Sequence, residues 1–180
     1  VYENYEGGSA NLDLCIELIQ SAVESGHKIL LFSQFTSMIE ILTARLQEES
    51  ISCFVLQGST KKEQRAQMVE QFNRDDTSVF CISLKAGGTG LNLTGADIVI
   101  HYDPWWNVAV ENQATDRAHR IGQKNVVTVY KLIAKGTIEE KIIKLQQMKK
   151  ELAEEILSGD EIKTASFQRE ELLELLEERF

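Results

Sequence analysis

The sequence predicts an α/β fold: an open parallel sheet with helices on both faces, followed by a C-terminal helical extension. Three observations carry this expectation. Short apolar runs alternate with stretches of about 10–15 residues whose apolar side chains recur at three- and four-residue steps. The runs are continuous rather than alternating, as in strands buried on both faces of a parallel sheet. Polar and glycine-rich segments cluster directly after those runs, where the chain turns from strand to helix. Strands and helices in this order call for right-handed crossovers.

The elements follow in order. Val1 to Ser9 is polar and reads as a linker; Val1 itself reads as a cut inside a longer protein. From Asn11, apolar residues at Leu12, Cys15, Ile16, Ile19 and Val23 predict a helix that Gly26 stops. Lys28 to Phe32 predicts a buried strand, and the helix after it turns Ile39, Leu42 and Leu46 inward. The unit then repeats, with a strand at Ser52 to Leu56, a turn at Gly58 to Thr60 and a helix at Lys61 to Phe72. Val79 to Ser83 and Asp97 to Tyr102 predict two more strands, separated by the glycine-rich stretch Lys85 to Gly90. Asp103-Pro-Trp-Trp-Asn107 leads into another helix, and Val126 to Ile133 closes the series as a last strand. After Gly136 the pattern changes. Thr137-Ile-Glu-Glu140 forms a capping box for a helix over 137–157, and an acidic helix with one apolar side follows over 167–178.

Composition sets the limits on function. With 180 residues, 43% hydrophobic and 26% charged, the chain can bury one ordinary core and carry an appendage. No apolar run approaches the roughly 18 residues needed to span a bilayer, and no signal peptide opens the chain, so no membrane partner is expected. Cys15, Cys53 and Cys81 lie far apart in apolar contexts, the pattern of buried free thiols in a reducing compartment. His27, His101 and His119 do not join them at metal-ligand spacing, and no metal site is expected. The net charge of -9 argues against a smooth electropositive face for nucleic acid. It leaves room for phosphate contacts made by amides, hydroxyls and helix N-termini. Residues 137–180, with 12 acidic and 7 basic side chains, hold more than half of the acidic excess.

Open parallel sheets bind ligands outside the carboxyl ends of their strands. Four polar stretches fall there: Ser33-Gln34, Gly58-Ser59-Thr60, Lys85 to Gly90, and Asp103 to Asn107. Gly58-Ser-Thr opens a helix, with Thr60-x-x-Glu63 as a second capping box; the same amides and hydroxyls suit either an ordinary cap or a phosphate. Lys85 to Gly90 is either a phosphate loop or a tight turn. It is not a Walker A loop, since no Gly-Lys dipeptide occurs in the chain. Nor is it a dinucleotide fingerprint, because Leu93 stands where the third glycine belongs and only Leu91 to Ala96 separates loop from strand. Of the adjacent Trp105 and Trp106, one belongs to the core and the other suits stacking or an interface.

The stretch Gln113 to Gln123 places Gln113, Arg117 and Arg120 on one helix face beside the apolar stripe Val110, Ala114, Ala118 and Ile121. That polar face is either salt-bridged to solvent or aimed at a phosphate.

These residues, in this order, resemble the Swi/Snf family of helicase-like DNA translocases. Gln113-x-x-x-Arg117-Ala-His-Arg120-Ile-Gly-Gln123 resembles helicase motif VI of that family, and Ser83-Leu-Lys-Ala-Gly-Gly-Thr-Gly-Leu-Asn-Leu93 its motif V. Ile29-Leu-Leu-Phe-Ser-Gln-Phe35 resembles motif IV, and Leu56-Gln-Gly-Ser-Thr60 with Arg65 and Phe72 the block that follows it. The resemblance runs from about Asn11 to Leu157. Two positions depart from it, Phe54 where Tyr is common and Val108 where Pro is common.

The resemblance implies that residues 10–136 are the second RecA-like lobe of a two-lobed superfamily 2 ATPase, with 1–9 a linker from the preceding lobe. ATP with magnesium then sits between lobes, and the first lobe, which supplies the Walker lysine and the magnesium ligands, is this chain's partner. By position, Arg117 and Arg120 are the arginine fingers, and Gly88, Gly90, Asn92 and Gln113 line the ATP. Asn92 stands where other helicases more usually have Asp, so its ribose contact is the least direct of these transfers. Ser33, Gln34, Gly58, Ser59, Thr60 and Lys85 match positions that hold the backbone of double-stranded DNA. The helix over 137–157 resembles the family's bracing helix. The implied location is the nucleus or the bacterial or archaeal nucleoid, and the isolated lobe is expected to be inactive. Two alternatives stand beside this reading: a stand-alone interaction module with relic motifs, and a lobe of a strand-separating helicase. The protein target is not legible in the motifs.

Overall fold

The structure, a computed structural model, describes residues 10–84, 86, 91–103, 112–113, 115–116, 118, 126–133, 143–144 and 146–147. The chain divides into two compact units, Val1–Ala134 and Lys135–Phe180. In the second, the described residues 143–144 and 146–147 are helical; the remainder of the expected helices over 137–157 and 167–178 lies outside the described residues.

The first unit is an α/β layer structure. Helix α1 (Ala10–Glu24) buries Leu12, Cys15, Ile16, Ile19 and Ala22. It ends where Gly26 adopts φ +80, with Gly26 N–H donating to Val23 O at 2.9 Å and His27 N–H to Ala22 O at 3.0 Å. That pair of bonds is the Schellman closure, which asks for a left-handed residue just past the helix. Strand β1 (Ile29–Ser33), α2 (Thr36–Glu48), β2 (Cys53–Leu56), α3 (Lys62–Arg74), β3 (Val79–Ser83), β4 (Ile98–His101) and β5 (Thr128–Lys131) follow in chain order.

The five strands lie in the order β2-β3-β1-β4-β5, and every pairing is parallel. β1 is central, with Ile29 opposite Val79 on one side and Ile98 on the other. All residues of β1, β3 and β4 are buried, which is why their sequences are continuous apolar runs. Successive side chains take opposite faces. Ile29, Leu31, Val79, Cys81, Ile98 and Ile100 share a core with α1 and with Ile39, Leu42 and Leu46 of α2. Leu30, Phe32, Phe80, Ile82 and Val99 share the other with Phe72 of α3. Helices therefore cover both faces.

The two layers are held unequally. α1 buries five side chains, whereas α3 buries only Phe72 fully. Phe72 meets Phe80 edge to face at 5.2 Å between centroids, and its burial is worth roughly 1.5–3 kcal/mol. Phe54 completes that aromatic group at 5.8 Å from Phe80.

Several element ends differ from the sequence expectation, β1, β2 and α3 by one or two residues. The strand read over Asp97 to Tyr102 is β4, Ile98–His101, because the Asp97 side chain turns to Lys28 N–H and the His27 ring. The strand read over Val126 to Ile133 is β5, Thr128–Lys131, since its ladder matches the four residues of β4. Thr60 forms no capping box. Its Oγ1 accepts from Gln57 N–H at 3.1 Å and its own N–H returns to Gln57 O at 3.1 Å, so the side chain closes the turn before α3 instead of covering the helix's first amides.

Candidate functional site at the carboxyl ends of the strands

Chain order reverses at β1. The chain leaves β1 toward β2 and β3 on one side, then passes to β4 and β5 on the other. Loops leaving β1 and β4 therefore diverge, and the crevice between them is the switch point where such sheets place ligands.

Asp103, just past β4, bridges this crevice. Ser33 Oγ donates to its carboxylate, and Gln34 N–H donates to it at 2.9 Å. Ser33 Oγ in turn accepts from Phe35 N–H at 3.1 Å, while Ser33 O accepts from Leu84 N–H at 3.0 Å. Asp103 is buried, and a carboxylate costs several kcal/mol to bury unless donors surround it; here a hydroxyl and an amide supply two. The ends of β1, β3 and β4 are thus one hydrogen-bonded unit.

A second set of bonds ties the loop after β2 to the loop after β3. Arg65, on the first turn of α3, donates from Nε to Thr60 O at 2.8 Å and from Nη2 to Gly58 O at 3.0 Å and Gln57 O at 3.4 Å. Its Nη1 reaches Ala86 O at 3.3 Å. α2 and α3 both begin at this edge of the sheet, and neither has a side-chain cap. A helix start of this kind leaves amides and a positive dipole end to be satisfied from outside.

His101 ends β4 fully buried, stacked on Phe32 at 5.4 Å and 19°. Its Nε2 meets Thr115 Oγ1 at 3.1 Å, and its Nδ1 finds no partner among the described residues. Burial, and then the nearby Lys131 charge, lower its pKa to about 4, so the imidazole is neutral at physiological pH. His101 thus holds Thr115, which lies two residues before Arg117 in sequence.

The sequence-predicted site residues fall out as follows. Ser33 is fully buried and Gln34 half-buried; Ser33 holds its loop through Asp103, and its hydroxyl is engaged inside the fold. Gly58 and Ser59 are exposed, and a Cβ at Gly58 would meet nothing within 4 Å, so packing gives no reason for glycine there. Thr60 is half-buried in its turn. Asn92 is exposed, with its carbonyl accepting from Asn73 Nδ2 at 2.8 Å. Gln113 is exposed on a helical segment, and Ala118 of the neighbouring stripe is fully buried. Lys85, Gly88, Gly90, Arg117 and Arg120 lie outside the described residues. Sequence reasoning missed His101, named Asp103 only as part of a strand-end stretch, and took Arg65 only as part of a block. The signal for Asp103 was its place before Pro104 at a strand end; a bond between residues 70 apart leaves none.

A cleft of about 240 Å³ lies at the opposite end of the sheet, lined by α1 residues with His27, Asp97, Val126 and Tyr130. Among the described residues, none of the predicted site residues borders it.

Comparison with known proteins bears on this arrangement. Residues 10–122 match the family described as helicase conserved C-terminal domain. An uncharacterized ATP-dependent helicase of Mycoplasma pneumoniae is 46% identical over 170 residues, 94% of this chain and 16% of that protein. The chromatin-remodeling ATPase INO80 of Homo sapiens is 43% identical over 166 residues, 92% of this chain and 10% of that protein. Among solved structures, the C-terminal part of the Fun30 ATPase domain aligns with a TM-score of 0.74 and 36% identity, covering 81% of this chain and 48% of that one. The chain spans well under a fifth of the length of the curated relatives it matches.

Proposed function

The chain belongs to the helicase conserved C-terminal domain family, in its Swi/Snf group, and on that premise we propose that it is the second motor lobe of an ATP-dependent translocase on double-stranded DNA. The observation that carries the proposal is the set of linked loops at the carboxyl ends of the strands, where His101 also bonds Thr115, two residues before Arg117 in sequence. In this reading Arg117 and Arg120 reach across to the γ-phosphate of ATP held mainly by the first lobe. They meet the negative charge that develops on the transferring phosphoryl group, a role worth ~10³–10⁵ in rate. Gly88, Gly90, Asn92 and Gln113 line the nucleotide. Magnesium is held by the first lobe, since this sequence has neither a Gly-Lys dipeptide nor a DE-x-H/D string.

The DNA track in this proposal is Gly58, Ser59, Thr60, Gln34 and Lys85, with Ser33 shaping it from beneath. Support comes from the exposure of Gly58 and Ser59 and from the two helices that begin at this edge without side-chain caps. Such contacts hold sugar-phosphate without reading sequence, and few of them need a basic side chain, so a net charge of -9 is no obstacle.

The test is ATP hydrolysis by the full-length protein with and without duplex DNA, beside hydrolysis by these 180 residues alone. The expected result is stimulation by duplex DNA in the former and none in the latter. A full-length protein indifferent to DNA would turn the reading toward an interaction module. Efficient turnover by the isolated chain would remove the composite site.

A further inference from the structure

We propose that Arg65 is a positioning residue that makes the loop after β2 and the loop after β3 move as one body, so that a change at the nucleotide is felt at the DNA track. This rests on the proposed function, which gives the first loop to DNA and the second, past Lys85, to nucleotide.

The ladder between β2 and β3 ends at Leu56 opposite Ile82. Beyond it, among the described residues, no hydrogen bond other than that of Arg65 joins Gln57–Thr60 to Leu84 or Ala86. Arg65 is half-buried, and all four of its acceptors are backbone carbonyls. Three lie on the first loop, at Gln57, Gly58 and Thr60. An arginine that served only to close its own turn would need no more than these. The fourth bond, from Nη1 to Ala86 O, lands on the glycine-rich loop instead.

The chemistry of the group makes the link rigid. A guanidinium is planar, carries its donors in a fixed fork, and stays charged at any working pH. Bonds from Nη2 to one loop and from Nη1 to the other therefore fix the distance between the two loops. Lysine has a single nitrogen at the end of a flexible stem and cannot hold both sets of carbonyls in one plane. Helix α3 carries Arg65 and fully buries only Phe72.

Two readouts on the full-length protein test the proposal. The first is hydrogen exchange with and without a non-hydrolysable ATP analogue. In the wild type, nucleotide should slow exchange at residues 84–92 and also at 57–60. In Arg65→Ala and Arg65→Lys, protection should stay at 84–92 and vanish at 57–60. The second is the number of base pairs moved per ATP hydrolysed, which should fall about fivefold or more in both variants, whatever happens to turnover itself. Should Arg65→Ala fail to fold, Arg65→Lys carries both readouts.

An unchanged ratio of base pairs to ATP, with turnover and movement falling together, would mean Arg65 only supports the fold and would overturn the proposal. So would restoration of wild-type coupling by lysine. A wild-type protein that hydrolyses no ATP on DNA would sink the proposed function instead. The exchange experiment, which needs only nucleotide binding, would then decide on Arg65 separately: loss of the 57–60 protection upholds the link, and its persistence, or its absence in the wild type, overturns it.

Discussion

The two ends of the parallel sheet use the same polar chemistry for opposite purposes. At the amino ends of the strands, charged groups close the fold on itself. Lys28 donates from Nζ to Phe72 O and, at 2.6 Å, to Asp75 O, so it satisfies carbonyls at the end of α3 while lying 4.4 Å from the Phe72 ring centroid. Asp97 accepts from Lys28 N–H at 3.3 Å and pairs with His27 at 2.9 Å. At the carboxyl ends, Asp103 and Arg65 also bond mostly to backbone, but they bond to loops that carry exposed Gly58 and Ser59 and lead into uncapped helices. One end uses its charges to finish helices. The other uses them to hold open loops in place, and that is the end fit to meet a ligand.

The largest effect should come from Arg117 and Arg120. Arg117→Ala or Arg120→Ala in the full-length protein should cut DNA-stimulated turnover by ~10³ or more and leave DNA affinity and thermal stability near wild type. Steady-state kinetics beside a DNA-binding titration would show it; equal losses in both would place the arginines in the DNA track.

Next comes His101, whose effect is on stability and depends on pH. Its folded pKa of about 4 lies below the ordinary 6.5. Between those values the unfolded chain binds the proton and the folded chain does not. Stability is therefore full above about 6.5 and falls as pH drops toward 4, by ~3 kcal/mol at most. Denaturant unfolding across that window should show the slope, and His101→Phe should flatten it. An equal slope in the variant would assign the acid sensitivity elsewhere.

Lys28→Met probes the amino end. It keeps an apolar stem under Phe72 but strands two carbonyls, and it should lower unfolding free energy by about 2 kcal/mol without changing turnover per folded molecule. A loss of DNA stimulation at unchanged stability would break the contrast between the ends.

The smallest effect belongs to Asn73, which braces the segment before β4. Its Nδ2 donates to Asn92 O at 2.8 Å and its Oδ1 accepts from Gly95 N–H at 2.9 Å. A Cβ on Gly95 would lie 3.0 Å from that oxygen, so a larger residue there would crowd Asn73. Asn73→Ala should cost about 1 kcal/mol, read from the unfolding midpoint.

Much of the fold was legible because its cause is local. Continuous runs such as Ile29–Ser33 and Val79–Ser83 reveal burial on both faces, and the spacing of Leu12, Cys15, Ile16 and Ile19 reveals a helix face. Element ends were less legible, since they depend on side chains that choose between caps and turns. Thr60 reads as a cap in sequence and closes a turn in space. The candidate site divides in the same way. Gly58, Ser59 and Gln113 could be named from their places after strands or on a helix face. Asp103, His101 and Arg65 could not be given their roles, because their partners lie 14 to 70 residues away or on a different loop.

The sequence by itself determined the class of fold, the order of its elements and the edge where polar loops gather. Periodicity and turn chemistry are properties of neighbouring residues. Strand order is not. That β1 lies between β3 and β4, and that Asp103 therefore meets Ser33 across the switch point, was decided by tertiary packing. Which strands become neighbours depends on which apolar faces bury one another best, a choice made by the whole core.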